Sequence, residues 1–202
     1  MTAPQRLTDR KREAIVQAAI SEFRSNGFDI TSMDKIAAKA GVSKRTVYNH
    51  FASKEELFAD ILQRLWTNIC AQEDSVYNPG QPLREQLGQL LHGKLALLAD
   101  NSFLDLARVA IAATIHSPER AQDMVLRIGE REEALTAWIR AAQADGALKP
   151  VDPEFAAQQL HGMIKAFAFW PQISMNQPAL SSEMQNTVIE SALNMFLACY
   201  QR

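Results

Sequence analysis

Polar and cationic side chains are concentrated in a short segment that follows Gly41. Val47 and Phe51 are spaced at i and i+4, which predicts a helix with one buried face. The side chains left for the opposite face are Lys44, Arg45, Thr46, Tyr48, Asn49 and His50. Two cations, a hydroxyl, a phenol, an amide and an imidazole supply donors for phosphate oxygens and for base edges. The segment therefore predicts a helix that binds a nucleic acid. The alternative is a surface helix whose basic face arose by chance.

Another short helix is predicted immediately before this one. Its apolar positions fall at i, i+3, i+4 and i+7, and they are Met33, Ile36, Ala37 and Ala40. Thr31 is expected to cap this helix by accepting from the amide of Asp34, and Gly41 is expected to end it in the left-handed conformation. Ser43 is expected to cap the next helix. Together the two helices and their tight turn form a helix-turn-helix.

Charge is distributed unevenly along the 202 residues, although the net charge is only −2. Residues 1–54 contain ten Lys or Arg and five Asp or Glu, a net charge of +5. Residues 55–202 contain eleven and eighteen of these residues, a net charge of −7. The positive end is the end with the helix-turn-helix. This asymmetry predicts a sequence-independent, salt-sensitive attraction to a polyanion.

From Gly41 onward the sequence GVSKRTVYNHFASK follows the pattern GVS-x-x-T-x-Y-x-x-F-x-x-K. The matching residues are Gly41, Val42, Ser43, Thr46, Tyr48, Phe51 and Lys54. This run resembles the helix-turn-helix of TetR-family transcriptional regulators, and the resemblance extends over about residues 8–65. It implies a DNA-binding regulator, in particular a repressor that a small-molecule effector releases from a palindromic operator. The residues expected to contact DNA are Thr31, Ser32, Met33, Ser43, Lys44, Arg45, Thr46, Tyr48, Asn49, His50 and Lys54.

Individual roles are predicted for some of these residues. Arg45 is expected to bind guanine, because its planar guanidinium can donate to both O6 and N7. Many relatives have a small residue or glycine at this position, so the role of Arg45 is argued from its own chemistry. Tyr48 is expected to donate to a phosphate, and Lys44 to a phosphate or a base edge. Lys54 is expected to bind a phosphate beside the N-terminus of the following helix, where backbone amides favour an anion.

The remainder of the chain is predicted to be helical, because no strand-like alternation of apolar and polar residues occurs. The fold class is therefore all-α, with an N-terminal three-helix DNA-binding domain joined by a long helix to a C-terminal helical bundle that dimerises. The expected domains are residues 1–54, which bind DNA, and residues 55–202, which bind an effector and dimerise. Outside the helix-turn-helix, helices are predicted at about 8–26, 53–73, 82–99, 103–116, 118–145, 153–175 and 181–200.

The last two predicted helices, 153–175 and 181–200, are apolar on more than one face. A helix of this kind must bury more than one face, and a second subunit can cover what the protomer leaves open. Gly162 and Ala166, at i and i+4, would allow another helix to approach closely. TetR relatives dimerise through the corresponding helices as a four-helix bundle, so the resemblance also implies a homodimer. The segments DGALKP and DPEFAAQQLHGMIKAF are similar to the C-terminal domain of a subset of the family.

The sequence contains none of the nucleotide-binding, zinc-protease or nucleophile-elbow motifs that would indicate an enzyme, a cofactor or a metal. The second domain is instead expected to bind an apolar small-molecule effector, and His116 and His161 are predicted to meet in its pocket. Ordinary core packing is the alternative for each pocket residue. The residues assigned to the pocket are Trp66, Phe103, His116, Trp138, His161 and Trp170. A different class of function, an all-helical adaptor or ligand carrier without DNA binding, stays open.

Cys70 and Cys199 are far apart and lack metal-ligand spacing. Each is expected to be a buried reduced thiol, with a redox-sensing pair as the alternative. No apolar segment approaches the roughly 18 to 20 residues that span a bilayer, and the N-terminus lacks the apolar stretch of a signal peptide. The protein is therefore expected to be cytoplasmic and not to bind a membrane.

Overall fold

The computed structural model describes residues 7–70, 76–115, 117–119, 122 and 134–202, without the side chains of residues 66 and 68–70. Its helices are α1 (Leu7–Asn26), α2 (Met33–Ala40), α3 (Lys44–His50), α4 (Lys54–Cys70), α5 (Leu83–Leu98), α6 (Asn101–Ile115), α7 (Ala134–Ala144), α8 (Pro153–Ala168), α9 (Trp170–Ser174) and α10 (Ser182–Tyr200). The one β feature in these ranges is an isolated antiparallel bridge between Leu148 and Gln201. The prediction of an all-α fold is confirmed.

The chain forms two compact units. The first falls within residues 1–66 and 105–126, and the second within residues 67–104 and 127–202. The first unit contains α1, α2 and α3, and it continues into α4 as far as residue 66. The domain boundary after residue 54 stays a prediction.

An aromatic cluster lies in the core of the first unit. Phe23 of α1, Phe28 of the following turn and Phe58 of α4 have ring centroids 5.0 to 6.0 Å apart. Two of the three pairs meet edge to face, a favourable arrangement for aromatic rings. The cluster therefore fixes the turn between α1 and α2 against both α1 and α4.

A buried polar group lies in the core of the second unit. The indole N–H of Trp138 on α7 donates to Oε1 of Gln86 on α5 at 3.2 Å. The Gln86 amide donates in turn to the carbonyls of Asn78 and Gln81, each at 2.8 Å. The ring of Tyr77 lies edge-on to the Trp138 ring, with the centroids 5.4 Å apart. These contacts hold the segment before α5 against α5 and α7.

The single helix predicted at 153–175 is divided into α8 and α9. Phe169 separates them with φ of −116° and ψ of −62°. The division has a physical cause, because Pro171 has no N–H to donate to the carbonyl of Phe167 and its ring crowds that carbonyl. The start of α8 is as predicted, with the Asp152 carboxylate accepting from the amide of Glu154 at 3.0 Å.

Of the helix predicted at 118–145, the structure describes residues 118, 119, 122 and 134–145, and α7 ends at Ala144. The rest of that predicted helix lies outside the described residues. Cys199 is exposed on α10, which corrects the expectation of a buried thiol there. The Cys70 side chain lies outside the described residues. Among the helices described above, none is both long and apolar enough to cross a membrane.

Candidate nucleic-acid interface

The N-terminus of α2 differs from the prediction. Ser32 caps the helix, with its Oγ accepting from the amide of Lys35 at 3.3 Å. Thr31 is 2% exposed, and its hydroxyl donates to the carbonyl of Gly27 at 2.8 Å. Met33 is buried as well. The prediction that Thr31 caps α2 is therefore wrong, and the side chains of Thr31 and Met33 belong to the core rather than to the surface that could contact DNA.

The turn and the start of α3 agree with the prediction. Gly41 ends α2 with a left-handed φ of 65°, and the Ser43 hydroxyl caps α3 by accepting from the amide of Thr46 at 3.1 Å. Val47 and Phe51 are buried and hold the helix against the core. The accessible side chains of this segment are Ser43, Lys44, Arg45, Tyr48 and Asn49, which are exposed, and Thr46 and His50, which are half-buried. Most of the side chains that the sequence assigned to DNA contact thus lie at the surface of one capped helix.

Lys44 forms an ion pair with Asp34 of α2. Its Nζ lies 2.8 Å from Oδ1 and 3.0 Å from Oδ2 of that carboxylate. The hydrogen bond to Asp34, together with the attraction between the two charges, raises the pKa of Lys44. The same Nζ lies 6.0 Å from the centroid of the Tyr48 ring, at the outer limit of a cation–π contact. The sequence predicted a role only for the backbone amide of Asp34, and no periodicity linked its carboxylate to Lys44.

Lys54, at the start of α4, makes contacts that the sequence did not predict. Its Nζ donates to the carbonyls of Phe28 at 2.7 Å and Asp29 at 3.2 Å, and it lies 4.4 Å from the centroid of the Phe28 ring. An ammonium group has three donors, and these carbonyls use two of them. The phosphate contact of Lys54 stays a prediction. The structure adds that Lys54 holds the turn between α1 and α2.

The start of α4 is a capping box. The Ser53 hydroxyl accepts from the amide of Glu56 at 3.1 Å. The Glu56 carboxylate reaches back to the amide of Ala52 at 2.7 Å, one residue earlier than the usual reciprocal bond. This cap fixes the segment that links the end of α3 to α4.

A network of ion pairs joins α1 to α4. Arg12 donates to Asp60 at 2.5 Å, and Arg64 donates to Asp60 at 2.9 Å and to Glu13 at 2.6 Å. Burial raises the pKa of Glu13, but its side-chain hydrogen bonds outweigh burial and leave that pKa below its ordinary value. The Arg12 guanidinium lies 4.8 Å from the centroid of the Phe51 ring, so the network reaches the residue that ends α3. These pairs could not be predicted from helical spacing, because Arg12 and Asp60 are 48 positions apart.

The residues predicted to line an effector pocket differ in burial and in the groups that they contact. Trp138 is buried with its N–H donated to Gln86, which favours the packing alternative for this residue. Phe103 is buried, with its ring centroid 6.4 Å from that of Phe169. Trp170 is half exposed on α9, with its centroid 5.1 Å from the same phenylalanine.

His161 is half-buried on α8, whereas His116 and the Trp66 side chain lie outside the described residues. The meeting of the two histidines therefore stays a prediction. In the part of the chain that the structure covers, no group of three His, Cys, Asp or Glu side chains is arranged to hold a metal ion.

A capped helix-turn-helix whose second helix exposes cations, a phenol and an amide defines a DNA-binding regulator. The chain belongs to the TetR family of bacterial transcriptional regulators. The family model described as bacterial regulatory proteins, tetR family, matches residues 15–61. The model described as AefR-like transcriptional repressor, C-terminal domain, matches residues 85–202, which is more than half of the chain.

Three similar proteins support this family assignment. The crystal structure of a TetR family transcriptional regulator from Pseudomonas syringae pv. tomato str. DC3000 is 62% identical, with a TM-score of 0.86 over 96% of this chain and 98% of that one. The uncharacterized HTH-type transcriptional regulator YhgD of Bacillus subtilis (strain 168) is 30% identical over 74% of this chain and 77% of its own length. The flavonoid-responsive regulator FrrA is 27% identical, with a TM-score of 0.70 over 96% of this chain and 98% of its own.

Proposed function

We propose that the protein is a homodimeric repressor that binds a palindromic operator through α3 and leaves it when a small apolar effector binds the C-terminal unit. The observation that carries this proposal is the accessible side of α3. Its core side is held by Val47 and Phe51, so Arg45, Tyr48 and Asn49 are presented from a fixed helix. A helix held in this way can place side chains against the edges of bases in a major groove.

DNA contacts are proposed for the accessible residues only. Arg45 binds guanine through its two parallel donors, and Tyr48 donates to a phosphate. Ser32 and the N-terminus of α2 lie beside a phosphate, because the first amides of a helix favour an anion. The remaining contacts in this proposal are Ser43, Thr46, Asn49, His50 and Lys54, with Lys44 at a base edge.

A homodimer is supported by large apolar side chains at the surface of the C-terminal helices. They are between 47% and 56% exposed, and they are Phe155, Phe167, Trp170, Met184 and Met195. Exposed apolar groups of this number on neighbouring helices are typical of an interface. Pairing of α8 and α10 with their copies across a two-fold axis would cover them. The dimer then presents two α3 helices to successive major grooves, which are about 34 to 36 Å apart.

An effector is proposed because FrrA is named as responsive to flavonoids and is similar along almost the whole chain. A small aromatic molecule is therefore the first class to test. In a dimer, the effector acts by changing the separation of the two α3 helices, since a shift of a few ångströms removes one of them from its groove.

The test of DNA binding begins with the region upstream of the protein's own coding sequence, searched for an inverted repeat. Binding of a labelled duplex containing that repeat is followed by fluorescence anisotropy, with a scrambled duplex of the same composition as the control. Tighter binding of the repeat is the expected result, and affinity for both duplexes should fall as salt rises. A protein that binds neither duplex at low salt would favour the adaptor or ligand-carrier alternative.

The effector is tested on the complex formed in that experiment. A flavonoid should lower the anisotropy of the labelled repeat and raise the melting temperature of the protein in the absence of DNA. Release of DNA without any change in melting temperature would mean that the flavonoid acts on the duplex. If neither signal changes with any flavonoid, this class of effector is excluded.

A further inference from the structure

Lys44 is the one accessible cation of α3 for which the structure gives a carboxylate partner on the same surface. The partner, Asp34, is in the first turn of α2, and the side chains of Lys44 and Asp34 are 61% and 62% exposed. Both groups are therefore accessible to the molecule that approaches α3. Arg45, the next residue of α3, is exposed as well.

The ion pair changes how Lys44 can contribute to DNA binding. A lysine that neutralises a phosphate releases a counterion from the DNA, and this release supplies most of the sequence-independent affinity. Lys44 can do so only by leaving Asp34, or by bringing that carboxylate close to the phosphate. Either way, the Asp34 carboxylate cancels much of the attraction between the Lys44 ammonium and a phosphate, because the ammonium and the carboxylate oxygens are 2.8 to 3.0 Å apart.

We propose that Asp34 lowers the affinity of the protein for random DNA by withholding Lys44 from phosphates. Arg45, Tyr48 and Asn49 keep their contacts with the operator, because all three side chains are exposed. Asp34 is thus a residue that sets the sequence-independent part of DNA binding. The inference rests on the DNA-binding function proposed above.

A second lysine–carboxylate pair in the same unit provides the control. Lys39, in the last turn of α2, lies 3.0 Å from the Glu22 carboxylate of α1. Glu22→Gln and Asp34→Asn each remove one negative charge and leave one lysine without that partner. Lys39 is not among the residues predicted to contact DNA, so a purely global effect of charge would make the two variants equal.

The experiment measures binding of the full-length protein to a random-sequence duplex between about 50 and 200 mM salt, and no operator is needed. One extra phosphate contact makes affinity fall by a further factor of about 3.5 over this fourfold range. A dimer gains two contacts, which corresponds to a further factor of about 12. Asp34→Asn should therefore bind more tightly than the parent at low salt and show this steeper fall. Glu22→Gln should have the slope of the parent.

A double-mutant cycle tests whether the effect passes through Lys44. Lys44→Gln should reduce affinity for the random duplex more in the Asp34→Asn protein than in the parent, because only there is the ammonium available to a phosphate. Circular dichroism and the melting temperature establish that each variant is folded. Equal losses in the two backgrounds would overturn the inference, since Asp34 would then act by direct repulsion alone.

Other outcomes separate this inference from the proposed function. A parent protein with no affinity for any duplex refutes the proposed function. A parent that binds, with an Asp34→Asn variant of the same affinity and slope, refutes only the inference. An Asp34→Asn variant whose change in affinity differs among duplexes of different sequence also refutes it, because Asp34 would then contact a base.

Discussion

Replacing Gly162 tests the proposed dimer. The effect on stability expected within one protomer is opposite to the effect expected at an interface with a partner. Gly162 is exposed in the interior of α8, and a Cβ built at this position meets nothing within 4 Å in its own chain. In an isolated protomer, Gly162→Ala should therefore raise the free energy of unfolding by about 0.5 to 1 kcal/mol, the usual advantage of alanine in a helix.

The expected result reverses if a partner helix crosses α8 at Gly162. Overpacking of a close contact costs about 1 to 3 kcal/mol, and a two-fold interface repeats the contact, so the dimer loses about 2 to 6 kcal/mol. We expect Gly162→Leu to give a partly monomeric protein with reduced operator affinity, although every residue of the DNA-binding unit is unchanged. Gly162→Ala should weaken the dimer in the same direction by less.

Sedimentation velocity at several protein concentrations measures the monomer–dimer equilibrium, and urea unfolding at the same concentrations measures stability. Gly88→Ala is the matched control, because Gly88 is in the interior of α5 and its added Cβ would lie 3.8 Å from Leu193 of the same chain, an ordinary contact. That variant should stay dimeric. A Gly162→Leu protein as dimeric as the parent would exclude Gly162 from the interface, and a monomeric parent would refute the dimer itself.

Four further substitutions test individual residues. Tyr48→Phe should weaken operator and random duplexes by a similar factor, since one hydrogen bond to a charged group is worth about 1.5 to 3 kcal/mol; unchanged anisotropy titrations at two salt concentrations would exclude the contact. Arg45→Ala should change the preference among operator variants, whereas a uniform loss of affinity would make it a backbone contact. Lys54→Ala should reduce the salt slope by about one counterion per subunit. It should also lower the free energy of unfolding in urea, because the carbonyls of the α1–α2 turn lose a donor. A slope equal to that of the parent would leave only the structural role. Burial and the hydrogen bond to Asp145 raise the pKa of Tyr77 to about 12. Its stabilising effect is therefore complete below about pH 10, the ordinary pKa, and is lost as pH rises toward 12. Tyr77→Phe should flatten the fall in unfolding free energy between about pH 10 and 12, and an equally steep fall would show that other groups cause it.

Local signals predicted the fold well where one residue decides the local structure. Gly41 supplies the left-handed turn and Ser43 the cap of α3. The prediction failed where two adjacent residues can both cap the same helix. Thr31 and Ser32 both carry a hydroxyl at the start of α2, and the choice between them depends on the burial of Thr31 against the turn at residue 27, which is a tertiary contact.

The surface of the candidate site could be predicted only in part, because it too depends on tertiary contacts. Helical spacing shows which side chains of α3 are accessible, but it does not show what they touch outside the helix. The pairing of Lys44 with Asp34 spans a turn, and the contacts of Lys54 with the turn before α2 join residues 25 and 26 positions apart. The role of Trp138 could not be decided from the sequence, because a large aromatic side chain is equally typical of a pocket and of a core.

The length of α3 has a consequence for how new operator preferences can be made in this protein or its relatives. With 7 residues, α3 is shorter than the roughly 12 to 15 residues at which an isolated helix becomes even marginally stable in water. Its conformation is supplied by Val47 and Phe51 in the core and by the guanidinium of Arg12 over the Phe51 ring. A synthetic peptide of this segment would be unfolded. A graft of α3 into another protein would lose its helical conformation unless α1 and α4 were transferred as well. Changes confined to the accessible side chains of α3 leave that support intact, so they are the economical route to a redesigned operator preference.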